Sequence, residues 1–184
     1  MKVTNQEIEN GTVTVYEEEG HPPARKAWMS DPSFREYLNC CVVVDVDTVI
    51  IDSMNDVLYL AKRTTKPAQG WLWALGGKLN PFENTDDASV RFLHEDAGID
   101  VSPDRVKLVT MTRYMWREIA QDDVQGSDNL CFTYAVELTA EERSQVVLSG
   151  KEYDQSFGLV PIGRYDLERI TAPMRDLYYE IFGR

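Results

Sequence analysis

The sequence predicts one α/β domain, and three observations carry that expectation. A chain of 184 residues can bury one sizeable core and is short for two. Its composition, 43% hydrophobic and 27% charged, is that of a folded globular chain. Runs rich in valine, isoleucine and aromatic residues, each of strand length, are interleaved with segments that carry helix caps and helical periodicity.

In chain order, Thr12 to Glu17 reads as a strand that stops before the turn-rich Glu19-Gly20-His21-Pro22-Pro23. Trp28, Phe34, Tyr37 and Leu38 then provide apolar area to dock residues 1–39, an N-terminal arm, on the core or at a dimer interface, and residues 40–184 form the domain proper. Cys41 to Ile51 and Val57 to Ala61 flank a turn at Asp52–Asp56 and predict a buried hairpin, with Cys40 and Cys41 as buried strand residues. Lys62, Arg63 and Lys66 concentrate cations before the turn Pro67-Ala68-Gln69-Gly70, and Trp71 to Leu75 is a further strand that runs into Gly76-Gly77. A helix follows over residues 85–97: Asn84 or Thr85 caps it, Asp86 and Asp87 suit its first turn, and Gly98 stops it. Ala88, Val90, Leu93 and Ala97 face its packing side, and Arg91, Glu95 and Asp96 its polar side. Val106 to Tyr114 and Leu130 to Leu138 are two strands joined by a long polar loop. Thr139 with Glu142 forms a capping box for a helix to about Val147, Leu159 to Ile162 is a short strand, and Met174, Leu177, Tyr178 and Ile181 stripe a last helix.

Charge and composition exclude several functions. With 31 acidic against 19 basic residues the net charge is -12, which opposes binding to nucleic acid polymers or an anionic membrane but leaves room for a small phosphorylated ligand held through divalent cations. The apolar run Cys40 to Val46 is broken by Asp45 and falls short of the roughly 20 residues of a membrane helix. No secretory signal pattern opens the chain, so a cytoplasmic location is expected. Three cysteines and two histidines form neither a disulfide framework nor a zinc pattern.

The informative stretch is Gly76-Gly77-Lys78-Leu79-Asn80-Pro81-Phe82-Glu83 followed by Arg91-Phe92-Leu93-His94-Glu95-Asp96-Ala97-Gly98-Ile99. A glycine turn lets backbone approach a ligand, and the helix presents two acids for magnesium. A capped surface helix with an internal Arg91–Glu95 pair would account for the acids but not for the glycines. The stretch resembles the Nudix box: Gly77, Glu83, Arg91, Leu93, Glu95, Gly98 and Ile99 match, Asp96 replaces one acid, and Phe92 stands where most members have a glutamate that binds metal or activates water. The resemblance implies the Nudix α/β/α sandwich with a mixed central β-sheet, and a hydrolase dependent on Mg²⁺, with Mn²⁺ as a substitute.

Leu60 to Trp71 and Trp73 to Lys78 are further similar to the corresponding part of GDP-mannose mannosyl hydrolases, a Nudix branch that splits the sugar carbon–oxygen bond. That similarity implies a nucleotide sugar such as GDP-mannose as ligand, Arg63 and Lys78 on its diphosphate, and Gly76, Glu95 and Asp96 around the metal. The branch's histidine base has no counterpart in Glu152-Tyr153-Asp154-Gln155-Ser156-Phe157, where Asp154 or Glu152 takes its place, with Arg63 assisting. Tyr114 or Trp116 would shape the sugar or base pocket. His94 is read as a surface or helix-cap residue. Two other readings stand beside this one: conventional Nudix hydrolysis between phosphates, and a catalytically silent nucleotide-binding or interaction domain, suggested by Phe92. A homodimer through the arm and last helix is compatible with all three.

Overall fold

The computed structural model describes residues 2–8, 11–17, 19–26, 28–121 and 123–183. The sequence begins with strands β1 (Lys2–Ile8) and β2 (Gly11–Glu17), which pair antiparallel as a separate hairpin beside the main body. Helix α1 (Asp31–Cys40) follows, with a proline in its first turn.

The main sheet is mixed. Strand β3 (Val43–Asp52) pairs antiparallel along one edge with β4 (Val57–Lys62) and, further back, with β6 (Leu75–Lys78); the short β5 (Leu72–Trp73) extends from β4. Helix α2 (Thr85–Ala97) then crosses one face, and β7 (Val106–Trp116) and β8 (Ser127–Glu137) form a long antiparallel ribbon whose β8 lies parallel to β3. After α3 (Ala140–Ser144), β9 (Leu159–Ile162) pairs with β4, and α4 (Ala172–Phe182) covers the opposite face.

The α/β sandwich with a mixed sheet is as expected, and α2 has the expected bounds. Asn84 takes the N-cap position as expected, though its side chain makes no capping hydrogen bond, and Asp86 and Asp87 complement the positive end of the helix. Gly98 ends it in the left-handed region, φ 68°, with its N–H turned back to His94 and Leu93. Alternation along β3 divides the core: Val46 and Ile50 meet Ala88, Leu93 and Ala97 of α2, whereas Val49 lies with Met174, Leu177 and Tyr178 of α4.

Four expectations are corrected. Cys40 and Cys41 are exposed, because α1 continues to Cys40 and β3 begins only at Val43. Trp28 is 92% exposed and does not dock the arm; Phe34, Tyr37 and Leu38 are half-buried instead. The ribbon β7–β8 runs to Trp116 and Ser127, so the polar connection shortens to 117–126. Helix α3 ends at Ser144, short of Val147, although its capping box forms.

Candidate active site

Three segments converge where β5 meets β6, the last turns of α2 and residues 152–154. Gly76 adopts φ 150°, and a Cβ there would collide with the Val46 carbonyl and come within 2.7 Å of Asp47 Oδ1. Its N–H donates to Asp96 Oδ2 and to the Tyr153 hydroxyl, each at 3.2 Å. Tyr153, 1% exposed, also lies 3.4 Å from Asp96 Oδ2 and from the Ala74 carbonyl. Asp96 is therefore buried and faces inward, contrary to its expected place on the helix's polar side. Burial and then the Glu152 carboxylate push its acid up to about 7, against the Gly76 N–H, which favours the charged form.

Glu95, the neighbouring acid, occupies the outer face, paired with Lys26 at 3.0 Å and Arg91 at 3.5 Å. Arg91 itself makes a two-pronged bridge to Glu83, at 2.6 and 2.8 Å, and also donates to the Lys78 carbonyl, so the loop after β6 is clamped to the helix. The Phe92 ring packs against Gly77 and joins the core under α2.

Arg63 reaches the same place from the end of β4. Its Nη2 lies 3.0 Å from Glu152 Oε2, and its buried Nε has no hydrogen-bond partner among the described residues. Backbone pairing of residues 62–64 with 152–154 brings these side chains together. Asp154 points elsewhere: Ser156 donates to it through N–H and hydroxyl, Lys62 stands 3.9 Å away, and its carboxyl is held below the usual range by Ser156 first and Lys62 last. Lys78 is exposed, its ammonium 3.9 Å from the centre of the Phe34 ring. His94 sits on the surface beside Asp100, 2.8 Å away, as expected.

Magnesium is ordinarily held by one or two carboxylates, with water and ligand phosphate completing the shell. Among the described residues no group of three or more His, Cys, Asp or Glu forms a closed cage. Asp96, with Glu152 near enough to disfavour its charge, fits that open kind of site, since a dication would neutralise both acids.

The structure adds residues that the sequence reading passed over. On the α4 side of the sheet Asp45 and Asp47 project from β3 beside Asn129 and Cys131 of β8. Trp73 Nε1 donates to Asp47 Oδ2 at 3.1 Å, and Asn129 Nδ2 donates to Asp45 Oδ2 at 2.5 Å. Burial first and Asp45 second raise the Asp47 acid to about 6. Tyr114 and Trp116, both predicted for the pocket, close a triangle with Trp73 at ring separations of 5.4–5.5 Å. From Tyr114 a cleft of about 280 Å³ extends between the sheet and α4, lined by Thr110, Thr112, Thr133 and Asp176 among others. The Val-Asp-Val-Asp alternation was the one sequence signal for this surface, since it sets both acids on one strand face.

Solved structures similar to this chain share its fold. The MutT NUDIX hydrolase from Burkholderia pseudomallei superposes with a TM-score of 0.56 at 18% identity, covering 75% of this chain and 96% of its own. The MutT protein from Methanosarcina mazei Go1 gives 0.57 at 16% identity, over 76% and 92% of the two chains. The NUDIX domain of Shewanella oneidensis NrtR, solved in complex with ADP ribose, gives 0.53 at 14% identity, over 83% and 96%. No protein of curated function matches the sequence. The family model described as "NUDIX domain" matches residues 43–180, from the first strand of the main sheet through the terminal helix and across the whole site, and the chain belongs to that family.

Proposed function

We propose that this chain is a Mg²⁺-dependent hydrolase of a nucleoside diphosphate derivative, that its substrate class is a nucleotide sugar such as GDP-mannose, and that water attacks the sugar carbon. The observation that carries the proposal is the pairing of Arg63 with Glu152 beside Asp96, while the helix position usual for a glutamate is filled by the core residue Phe92. Arg63 has a buried N–H left over for an anionic ligand, and the exposed Lys78 at the end of β6 adds a second cation. Asp96 and the Gly76 carbonyl would hold the metal. Bound magnesium would supply charge neutralisation for the diphosphate.

Glu152 is better suited than Asp154 to receive the proton of water, because Asp154 is tied to Ser156 and held in its charged form. A carbon–oxygen bond forms to water, the bond from the sugar carbon to the diphosphate oxygen breaks, and its electron pair leaves on the diphosphate. Arg63 and Lys78 would offset that departing charge.

The test is product identity, measured by mass spectrometry after incubation with Mg²⁺ and a panel of nucleotide sugars. Free sugar and nucleoside diphosphate are expected. Sugar phosphate and nucleoside monophosphate would assign conventional cleavage between phosphates, and tight binding without products would assign a binding role.

A further inference from the structure

A sheet face that packs under a helix is normally apolar, and the far end of this one is: Val49 and Ala135 lie there under α4. Nearer the site the same face turns polar, with Asp45 on β3 and Asn129 on the parallel β8. Holding the two strands together does not require this pair, since their ladder already runs from Val43 opposite Asn129 to Ile51 opposite Glu137. Asn129 is 7% exposed; it spends its amide N–H on Asp45, and its Oδ1 has no hydrogen-bond partner among the described residues. A buried acceptor without a partner costs free energy until a donor arrives. Across β8 from Asn129, Tyr114 stands directly opposite on β7 and is stacked on Trp116, so a flat aromatic wall rises beside the acceptors.

We infer that Asp45 and Asn129 form a specificity pair that reads a nucleobase edge carrying two adjacent N–H donors, with Tyr114 and Trp116 stacking on the base. This deepens the nucleotide reading above and rests on it. Among the common bases guanine alone offers that edge, through N1–H and the 2-amino group. Adenine and cytosine set an amino donor beside a ring-nitrogen acceptor, which a carboxylate repels, and uracil sets one N–H between two carbonyls. A site built to accept hydrogen bonds rejects a ligand that lacks the donor, because its buried acceptors are then left unpaired.

The experiment is titration of the full chain with GDP, IDP and UDP in Mg²⁺, followed by calorimetry. IDP differs from GDP only in lacking the 2-amino group. GDP is expected to bind about tenfold more tightly than IDP, and UDP more weakly still. Of Asp45→Asn, nearly isosteric, and Asn129→Ala, the variant that removes the acceptor of the 2-amino group should abolish the preference for GDP over IDP while changing IDP affinity much less, and the other, which removes the acceptor of N1–H, should weaken GDP and IDP alike; thermal melting confirms that each variant is folded. Equal binding of all three nucleotides, or a preference for GDP over IDP that survives in both variants, overturns the pair's role and leaves the diphosphate reading standing. Absence of binding by any of the three overturns both.

Discussion

At the residue scale, single side chains divide between structure and chemistry. Arg91 and Glu83 belong to the family motif, yet here their work is mechanical: the bidentate bridge ties the loop after β6 to α2. Burial opposes the Glu83 charge, but the Arg91 guanidinium and the Asn80 N–H outweigh it and hold the carboxyl below its ordinary value. Arg91→Ala would leave that carboxylate, whose side chain is only 8% exposed, without its counter-charge. A loss of about 2–3 kcal/mol in denaturant unfolding at pH 7 is expected. An unchanged midpoint would mean that the loop is held by other contacts. Phe92 is the opposite case: its ring packs under Gly77 and belongs to the core beneath α2. Tyr153 shows the limit of sequence reading at this scale. It was passed over between two acids, yet its hydroxyl joins Gly76 to Asp96, a fact that depends on two segments 77 residues apart.

At the element scale, local signals were the legible ones. The bounds of α2 followed from Asp86, Asp87 and Gly98, which act within one turn of the helix ends. The capping box of α3 followed from Thr139 and Glu142 and is present in both directions: Glu142 N–H donates to Thr139 Oγ1, and Thr139 N–H to the Glu142 carboxylate. Arg105 also donates to Glu142, and with the Thr139 N–H it holds that acid down at about 2, against an ordinary 4.5. The sign follows from linkage: a depressed folded value contributes stability that is full above pH 4.5 and is lost as pH falls toward 2. Glu142→Gln should therefore melt lower than wild type at pH 7, with the gap closing near pH 2; a gap independent of pH would contradict it. Thr139→Ala should cost about 1 kcal/mol, or roughly 2–4 °C in melting temperature. Helix α3 is shorter than its capping box alone suggests, because the chain bends away after Ser144 and Val147 N–H bonds Ala97 O.

At the scale of the whole molecule, the mixed sheet decides which chemistry is possible. Sequence order gives no hint that β3 and β8 run side by side, yet that parallel pairing sets Asp45 beside Asn129, and the return of β9 to β4 brings residues 152–154 to Arg63. The glycines and acids of α2 are legible as a motif, and Arg63, Glu152 and Asp154 through the resemblance; Tyr153, Asp45, Asp47 and Asn129 are not, because topology assembles them. Among the described residues no helix is long and apolar enough to cross a membrane. Residues 1–39, read as an arm, contribute a hairpin next to β7 and a helix whose Phe34 lies against Lys78, and we propose that this arm borders the substrate entrance. The central claim is that water attacks carbon, with the base supplied from outside the helix that carries the family motif. Hydrolysis of a nucleotide sugar in ¹⁸O-labelled water with Mg²⁺ tests it most directly. The account predicts the label in the free sugar, whereas label in a phosphate product would contradict it.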